Sequence, residues 1–276
     1  MPLVKLKFKA GINRDITPYS NEGGWVDGDK IRFRMGFPEK IGGWEKLSTS
    51  TYQGTARALH NWIALDGSDY LGLGTHLKYY IEEGGAFFDI TPIRATTTNG
   101  IVFAATNGST TITATDSSHG ASIGDFVTIA DAVSLGGVVT ATVLNAEHQI
   151  TSVPTANTFT FEVSAAANGS DTGNGGAGCD AVYQISVGLD TAIGGNGWGA
   201  GTWSRGTWGS GTDLTTVAEL RLWSHDNFGE DLLINPRDGA IYYWDKSDGL
   251  TANAVEISSE TGASDTPTIA KQILVS

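Results

Sequence analysis

The sequence has a single cysteine, Cys179, so no internal disulfide bond can form. No apolar run approaches the roughly 20 residues of a membrane-spanning helix. The first residues, MPLVKLKFKAG, are basic but lack the apolar core of a cleavable secretion signal. These absences predict a soluble protein that is made in a cytoplasm and is not exported through a cleavable signal.

Basic residues are scarce and unevenly distributed. The chain has 17 Lys and Arg against 30 Asp and Glu, a net charge of −13. Residues 1–50 carry nine basic and six acidic residues, whereas residues 51–276 carry eight basic and 24 acidic residues. Between Arg94 and Arg205 there is no basic residue at all. Because Lys and Arg supply most contacts to phosphate backbones, this middle region is not expected to bind nucleic acid.

Sustained 3.6-residue periodicity is almost absent, so few and short helices are expected. The chain is instead rich in glycine (37 residues), tryptophan (eight) and tyrosine (eight), which is typical of short strands joined by tight turns. The predicted fold class is all-β, with partial β-propeller-like antiparallel blades and an inserted small β-sandwich or barrel domain.

Two similar segments predict the blades. Residues 56–92 read as a four-strand meander, with corners at Asp66-Gly67, Gly74-Thr75 and Glu83-Gly84-Gly85. Residues 219–258 read as a second meander, with corners at Asp226-Asn227, Arg237-Asp238-Gly239 and Ser247-Asp248-Gly249. Aligning the two segments places Trp62 opposite Trp223. A repeated four-stranded unit of about 40 residues is typical of propeller blades.

The chain is predicted to have three parts. Residues 1–55 form an N-terminal docking segment with basic strands, residues 56–94 and 181–276 form the blades, and residues 95–180 form the inserted β-domain. The stretch VYQISVG, residues 182–188, is expected to resume the blades. Two blades do not close a ring, since propellers need about four or more. The strand-like final run TIAKQILVS adds an uncovered edge, so completion by further chain, a second protein or copies of itself is expected.

A basic strand is predicted within GGWVDGDKIRFRMGFPEKIGGWEKL, residues 23–47. Lys30, Arg32 and Arg34 alternate with Ile31, Phe33 and Met35, which puts the cations on one face of a strand over residues 29–35. Pro38 and then Gly42-Gly43 are expected to end this strand. The predicted assembly interface consists of Trp25, Lys30, Arg32, Arg34 and Trp44. A solvated strand edge and a phosphate contact are the alternatives.

No catalytic or metal-binding motif is found, so no enzyme activity, cofactor or metal site is predicted. The five histidines are scattered without metal-ligand spacing. The pairs Glu82-Glu83 and Glu230-Asp231 are neighbours on strands and should point to opposite faces. GGAGCD (residues 175–180) matches one copy of a calcium-binding repeat, and SHDNFG (residues 224–229) is similar to a sialidase turn. A lone repeat and a displaced glycine favour ordinary turns for both, and Cys179 is expected to be a small structural residue.

A glycine-rich segment, residues 195–211, holds Trp198, Trp203 and Trp208 at five-residue intervals. These tryptophans form a predicted aromatic contact loop, which could be a platform for a sugar or a base. The alternative is a loop whose indoles fill gaps between blades or make a subunit contact. The latter is favoured because Arg205 is the only cation there.

The segments GGWVDGDKIRFRMGFPEKIGGWEKL, GWGAGTW and LWSHDNFGEDLLINPRDGAIYYWD resemble a family of tailed-bacteriophage structural or tail proteins. The family is similar in layout to the β-propeller nozzle, or tail accessory factor, of short-tailed phages. The resemblance covers residues 1–94 and 181–276, and the insertion is similar to small β-domains of phage tail proteins.

This resemblance implies a non-enzymatic structural protein of the virion tail that is synthesised in the host cytoplasm. Its role would be that of a nozzle or ring-forming subunit that gives passage to DNA during ejection. The implied partners are other tail and neck proteins, namely an adaptor, further propeller chains, or spike or fibre chains. A homo-oligomeric ring is also implied, for which a hexamer is one option, with DNA only as passing cargo and no membrane. The alternative function is a host-surface, glycan-binding module similar to a tail fibre.

Overall fold

The computed structural model describes residues 9–17, 19–43, 45–46, 48–176, 178–188, 220–263 and 265–276. The chain forms two compact units, Met1–Leu47 and Ser48–Ser276. Strands dominate the described residues, and the α-helix found among them is a single turn, Ala141–Leu144. The prediction of an all-β fold is therefore confirmed. The domain boundaries at residues 55, 94 and 180 stay predictions.

The N-terminal unit contains a two-stranded antiparallel hairpin, β1 (Ile31–Arg34) and β2 (Phe37–Lys40). Met35 and Gly36 form its turn with φ angles of 50° and 86°, the positive values that a type I′ turn requires. The predicted end of the strand at Pro38 is wrong. Pro38 lies inside β2, because the Met35-Gly36 turn reverses the chain and begins a second strand.

Blade 1 is the first predicted meander. Its strands pair in chain order and are β3 (Ala56–Ile63), β4 (Asp69–Thr75), β5 (Tyr79–Glu83) and β6 (Ala86–Asp89). The corners at Asp66-Gly67 and Glu83-Gly84-Gly85 lie where the sequence predicted them. Gly84 and Gly85, for example, both have positive φ between β5 and β6. The corner predicted at Gly74-Thr75 is wrong, because both residues still belong to β4 and the chain turns at His76-Leu77.

The next eight strands form two sheets that share one core. They are β7 (Ile93–Thr97), β8 (Val102–Ala105), β9 (Thr111–Thr115), β10 (Phe126–Ala130), β11 (Glu147–Gln149), β12 (Ser152–Thr155), β13 (Thr158–Glu162) and β14 (Asp180–Gln184). One sheet has the order β11-β10-β14-β7 and the other β12-β13-β9-β8. Val127 and Tyr183 from the first sheet and Phe159 and Phe161 from the second are fully buried in the shared core. This part of the chain is therefore a β-sandwich.

The stretch VYQISVG does not simply resume the blades. Its first residues belong to β14, which pairs with β10 and β7 in the sandwich. Tyr183 points into the sandwich core, whereas Ile185 and Val187 are buried in the core of the blades. The chain thus passes from the sandwich core to the core of the blades within a few residues. The apolar pattern of the sequence does not show which of the two cores each residue joins.

Blade 2 is the second meander, β15 (Trp223–Phe228), β16 (Asp231–Pro236), β17 (Tyr242–Trp244) and β18 (Val255–Glu256), again paired in chain order. The predicted corner at Asp226-Asn227 is wrong. These residues lie in β15, paired with Leu233 and Leu232, and the turn falls at Gly229-Glu230 instead. Gly229 has a φ of 70°, a conformation that glycine adopts without strain.

The alignment of Trp62 with Trp223 is also wrong. Trp62 is the second-last residue of β3, whereas Trp223 is the first residue of β15. The two indoles therefore enter the core at opposite ends of their strands.

The two blades pack face to face around a second hydrophobic core. Trp62, Tyr70 and Trp244 meet there, with ring centroids 5.3 to 6.5 Å apart. The first strands, β3 and β15, lie side by side and run in the same direction. Arg57 near the start of β3 donates to the carbonyl of Arg221 at 3.1 Å, and Trp62 near its end donates to the carbonyl of Glu230 at 3.0 Å. This arrangement is compatible with adjacent blades of a propeller.

Candidate functional site: the blade seam, the basic hairpin and an apolar cleft

The basic hairpin has the two faces that its alternation predicted. Arg32 and Arg34 are exposed, whereas Ile31 and Phe33 on the other face of β1 are partly buried. Arg32 forms an ion pair with Glu39 on the neighbouring strand. The cationic face is therefore open to solvent within the described part of the N-terminal unit.

The other residues of the predicted assembly interface are placed less regularly. Trp25 is partly buried, with its ring edge-on to Phe33 at 6.4 Å between centroids. Lys30 is exposed, but it precedes β1 in a left-handed conformation with φ of 55°, so it does not continue the strand. Four predicted contact residues lie outside the described residues: Trp44, Trp198, Trp203 and Trp208.

The tip of the hairpin carries an apolar surface that the sequence analysis missed. Met35 was expected on the apolar face of a strand, but it occupies the turn and is 91% exposed. Phe37 follows at the start of β2 and is 71% exposed. Two large apolar side chains thus stand beside Arg34 at the end of the hairpin.

Histidines of the two first strands meet at the seam between the blades. The rings of His60 on β3 and His225 on β15 have centroids 5.0 Å apart. The buried Tyr79 hydroxyl hydrogen-bonds to Nδ1 of His225 at 2.7 Å, and His60 Nε2 bonds to the side-chain oxygen of Asn227. The two histidines lie far apart in the sequence, so no metal-ligand spacing connects them. The available signal was that each meander carries one histidine in its first strand.

The pKa of His225 is lowered to about 4, by burial first and then by the charge that His60 can acquire. Burial also raises the pKa of the Tyr79 hydroxyl well above its ordinary value. His225 is therefore neutral at pH 7, and its Nδ1 and the Tyr79 hydroxyl share a hydrogen bond.

Gly74 on β4 makes the close approach of the blades possible. A Cβ at this position would lie 2.4 Å from the ring atom Cδ1 of Trp223. That indole packs edge-on against Tyr79 at 5.0 Å and donates to the carbonyl of Thr75 at 2.7 Å, so it cannot move away freely.

We expect Gly74→Ala to lower the free energy of unfolding by about 1–2 kcal/mol, because overpacking a rigid core displaces Trp223. Chemical denaturation followed by tryptophan fluorescence measures this change. Gly42→Ala is the control, since its Cβ would meet no atom within 4 Å. Equal unfolding free energies for both variants would show that the seam tolerates the extra methyl group.

A buried ion cluster joins blade 1 to the sandwich. The side chain of Lys78 is 3% exposed, and its Nζ lies 2.6 Å from the carboxylate of Asp89 on β6. It also pairs with Glu147 on β11 and stands 4.6 Å above the ring of Phe126. Gln184 on β14 donates to the Asp89 carboxylate at 3.1 Å. A cation from the blade is thus held by groups from both parts of the chain.

A second lysine ties the ends of the blades together at the surface. Lys246 Nζ lies 2.7 Å from Asp66 in the β3–β4 turn and 2.9 Å from Glu230 in the β15–β16 turn. The pKa of Asp66 is lowered to about 2, by the hydrogen bond from Lys246 first and then by hydrogen bonds from Ser68. Glu230 also accepts the backbone N–H of Leu65 at 2.7 Å.

The outward face of blade 2 contains an apolar cleft of about 420 Å³. It is lined by Phe228, Leu233, Tyr243, Ile257, Glu260, Thr261, Gly262 and Ala263. Tyr243 is fixed in place by a 2.5 Å hydrogen bond from its hydroxyl to Asp231. Its pKa is raised by burial first, and then by the hydrogen bond to Asp231 and the negative charges of Asp231, Asp245 and Glu260. Carboxylates therefore lie near the Tyr243 hydroxyl, and that of Glu260 belongs to the lining of the cleft.

The carboxylates and the cysteine that the sequence analysis weighed have structural contacts. Glu230 lies in a turn rather than on a strand, and its carboxylate turns towards Lys246 while that of Asp231 binds Tyr243. Cys179 is buried with its sulfur against the carbonyl of Gly175. Burial raises the pKa of this thiol.

The described residues lack a candidate metal centre and a helix that could span a membrane. Within them, no group of three or more His, Cys, Asp or Glu side chains could hold a metal ion. No helix in the described ranges is long and apolar enough to cross a membrane.

Comparisons with known proteins give little. No family model matches the chain, and no curated protein matches it. Among solved structures it is similar to a phage phi92 endosialidase, with 15% sequence identity and a TM-score of 0.26. The match covers 80% of this chain and 32% of that protein, so the chain spans about a third of its length. At this score the likeness is too weak to assign a fold or a function.

Proposed function

We propose that this chain is a structural subunit of a bacteriophage tail that completes a ring with other copies of itself. In this proposal it gives passage to DNA during ejection and catalyses no reaction. Its partners are further copies and the neighbouring tail and neck proteins. The motifs of residues 1–94 and 181–276 that resemble phage tail proteins support this assignment.

The observation that carries the proposal is the contact between the two blades. Their first strands run side by side in the same direction, as adjacent propeller blades can. Hydrogen bonds from Arg57 to the carbonyl of Arg221 and from Trp62 to the carbonyl of Glu230 join them. Propellers have typically four to eight blades, whereas the described residues form two. A closed ring needs further blades, and in this proposal identical copies supply them.

The uneven charge supports docking between copies. Residues 1–50 have three more basic than acidic residues, whereas the rest of the chain has sixteen more acidic than basic residues. The exposed cations Arg32 and Arg34 of one copy would be attracted to the acidic body of the next. The same acidity, facing a central opening, would repel duplex DNA and let it slide through.

Charge reversal of the hairpin tests this docking. We expect Arg34→Glu to weaken the oligomer roughly tenfold, because like charges would then face each other across the contact. Sedimentation velocity over a dilution series measures the dissociation constant. Raising the salt concentration should weaken the wild-type oligomer in the same direction.

Glu162→Lys is a suitable control, because it reverses an exposed charge on the sandwich, far in sequence from the hairpin. The control should assemble like the wild type. A wild-type chain that stays monomeric at every concentration would contradict the proposed ring.

The alternative function, a glycan-binding module, makes a different prediction. Saturable binding to a glycan that is lost on Trp203→Ala would favour a host-surface adhesin over a ring subunit. A glycan array with the wild type and this variant distinguishes the two.

A further inference from the structure

The cleft on blade 2 is an open apolar feature of the described surface. Phe228 at its edge is 59% exposed, and Leu233, Tyr243 and Ile257 complete its wall. At about 420 Å³ it is within the range of roughly 300–1,000 Å³ that binding pockets have. It can therefore accept one or two large side chains.

The charges around the cleft select for a cationic occupant. Asp231, Asp245 and Glu260 all act on the Tyr243 hydroxyl through their negative charges, so the mouth of the cleft has a negative potential. An aromatic wall beside carboxylates also favours Arg and Lys, because a cation can stack on the ring while it pairs with the acid. The fitting partner is a segment with bulky apolar side chains flanked by basic ones.

The chain itself carries such a segment. At the tip of the β1–β2 hairpin, Met35 and Phe37 are the exposed apolar side chains, and Arg34 stands directly before them. The turn at Met35-Gly36 has left-handed φ angles, and the paired strands β1 and β2 present the tip. A tip that is already held in a hairpin loses less backbone entropy on burial than an unpaired segment would.

We infer that the hairpin tip of one copy, residues 34–37, docks into the Phe228–Tyr243 cleft of a second copy. Met35 and Phe37 fill the apolar cleft, and Arg34 pairs with Glu260 at its rim. This contact is heterologous, because a tip on one copy meets a cleft on the next, and a rotation that closes generates a ring. The inference rests on the proposed function, for which it names the receiving surface.

A charge swap between separate chains tests the contact in trans. Arg34→Glu and Glu260→Lys should each raise the dissociation constant of the oligomer roughly tenfold. Mixing the two variants in equal amounts should restore wild-type assembly, because each tip then meets a cleft of opposite charge. Sedimentation velocity and native mass spectrometry follow the assembly. Unchanged thermal unfolding of both variants shows that their folds are intact.

The possible outcomes distinguish a failure of the tip-to-cleft contact from a failure of the proposed ring. In one outcome, assembly is restored in the double variant but not in the mixture of the two single variants. That result means that the tip docks within its own chain, which overturns the inference. A wild type that assembles while neither variant, nor Phe228→Lys, weakens it overturns the inference and leaves the proposed ring standing. A wild type that never assembles overturns the proposed function and the inference together.

Discussion

Replacing Lys78 with methionine is expected to lower the free energy of unfolding by about 3 kcal/mol. Methionine keeps most of the apolar length of the side chain but removes the ammonium group that Asp89 and Glu147 share. The two carboxylates then face each other in a partly buried place without a cation. Chemical denaturation with fluorescence and circular dichroism measures the loss.

Two comparisons make this prediction specific. Lys246→Met removes a lysine that also holds two carboxylates, but at the surface, so its effect should be clearly smaller. Adding Asp89→Asn and Glu147→Gln to Lys78→Met should recover much of the lost stability, because the unpaired charges are then gone. A Lys78→Met variant as stable as the wild type would mean that the cluster does not hold the sandwich to blade 1.

Acid is expected to destabilise the blade seam between pH 6.5 and about 4. The pKa of His225 is about 4 in the folded chain and 6.5 when its ring is in water, so the unfolded state takes up a proton first as the pH falls. Stability is therefore complete above pH 6.5 and is lost as the pH falls towards 4. The difference corresponds to at most about 3 kcal/mol, and to roughly 2 kcal/mol because the ring is partly open to solvent.

Other titratable groups could also change the stability over this pH range, so a control is needed. His60, Tyr79 and Asp226 face it or flank it, and the lowered pKa of Asp226 acts only below its ordinary value of 3.8. His148 in the sandwich has a pKa lowered by burial and contributes in the same direction as His225.

Denaturation curves for the wild type, His225→Gln and His148→Gln between pH 7 and 4 separate the two histidines. The curve of His225→Gln should be the flatter one. A His225→Gln variant that loses stability with pH as steeply as the wild type would assign the acid sensitivity to another part of the chain.

The meanders could be predicted from the sequence because turn residues punctuate them. Asp66-Gly67 and Gly84-Gly85 lie where the chain turns in blade 1. The same rule failed at Asp226-Asn227, whose polar side chains point to a turn while their backbone continues in β15. The turn at Gly229-Glu230 sets the pairing of β15 with β16. A local sequence pattern cannot decide whether Asp226-Asn227 or Gly229-Glu230 forms the turn.

The sites were harder to predict because they join distant residues. Lys78 and Glu147 are far apart in sequence, and only the packing of the sandwich on blade 1 brings them together. The hairpin tip was missed for a local reason. Alternation alone assigned Met35 to a strand face, whereas the glycine after it permits a tight turn that exposes Met35.

The central claim is that identical copies of this chain close a ring of blades. Electron microscopy of the purified chain at a concentration above its dissociation constant tests this claim most directly. The account predicts closed rings with a central opening wide enough for duplex DNA and with β3 and β15 nearest to that opening. Isolated monomers, or open filaments without closure, would contradict it.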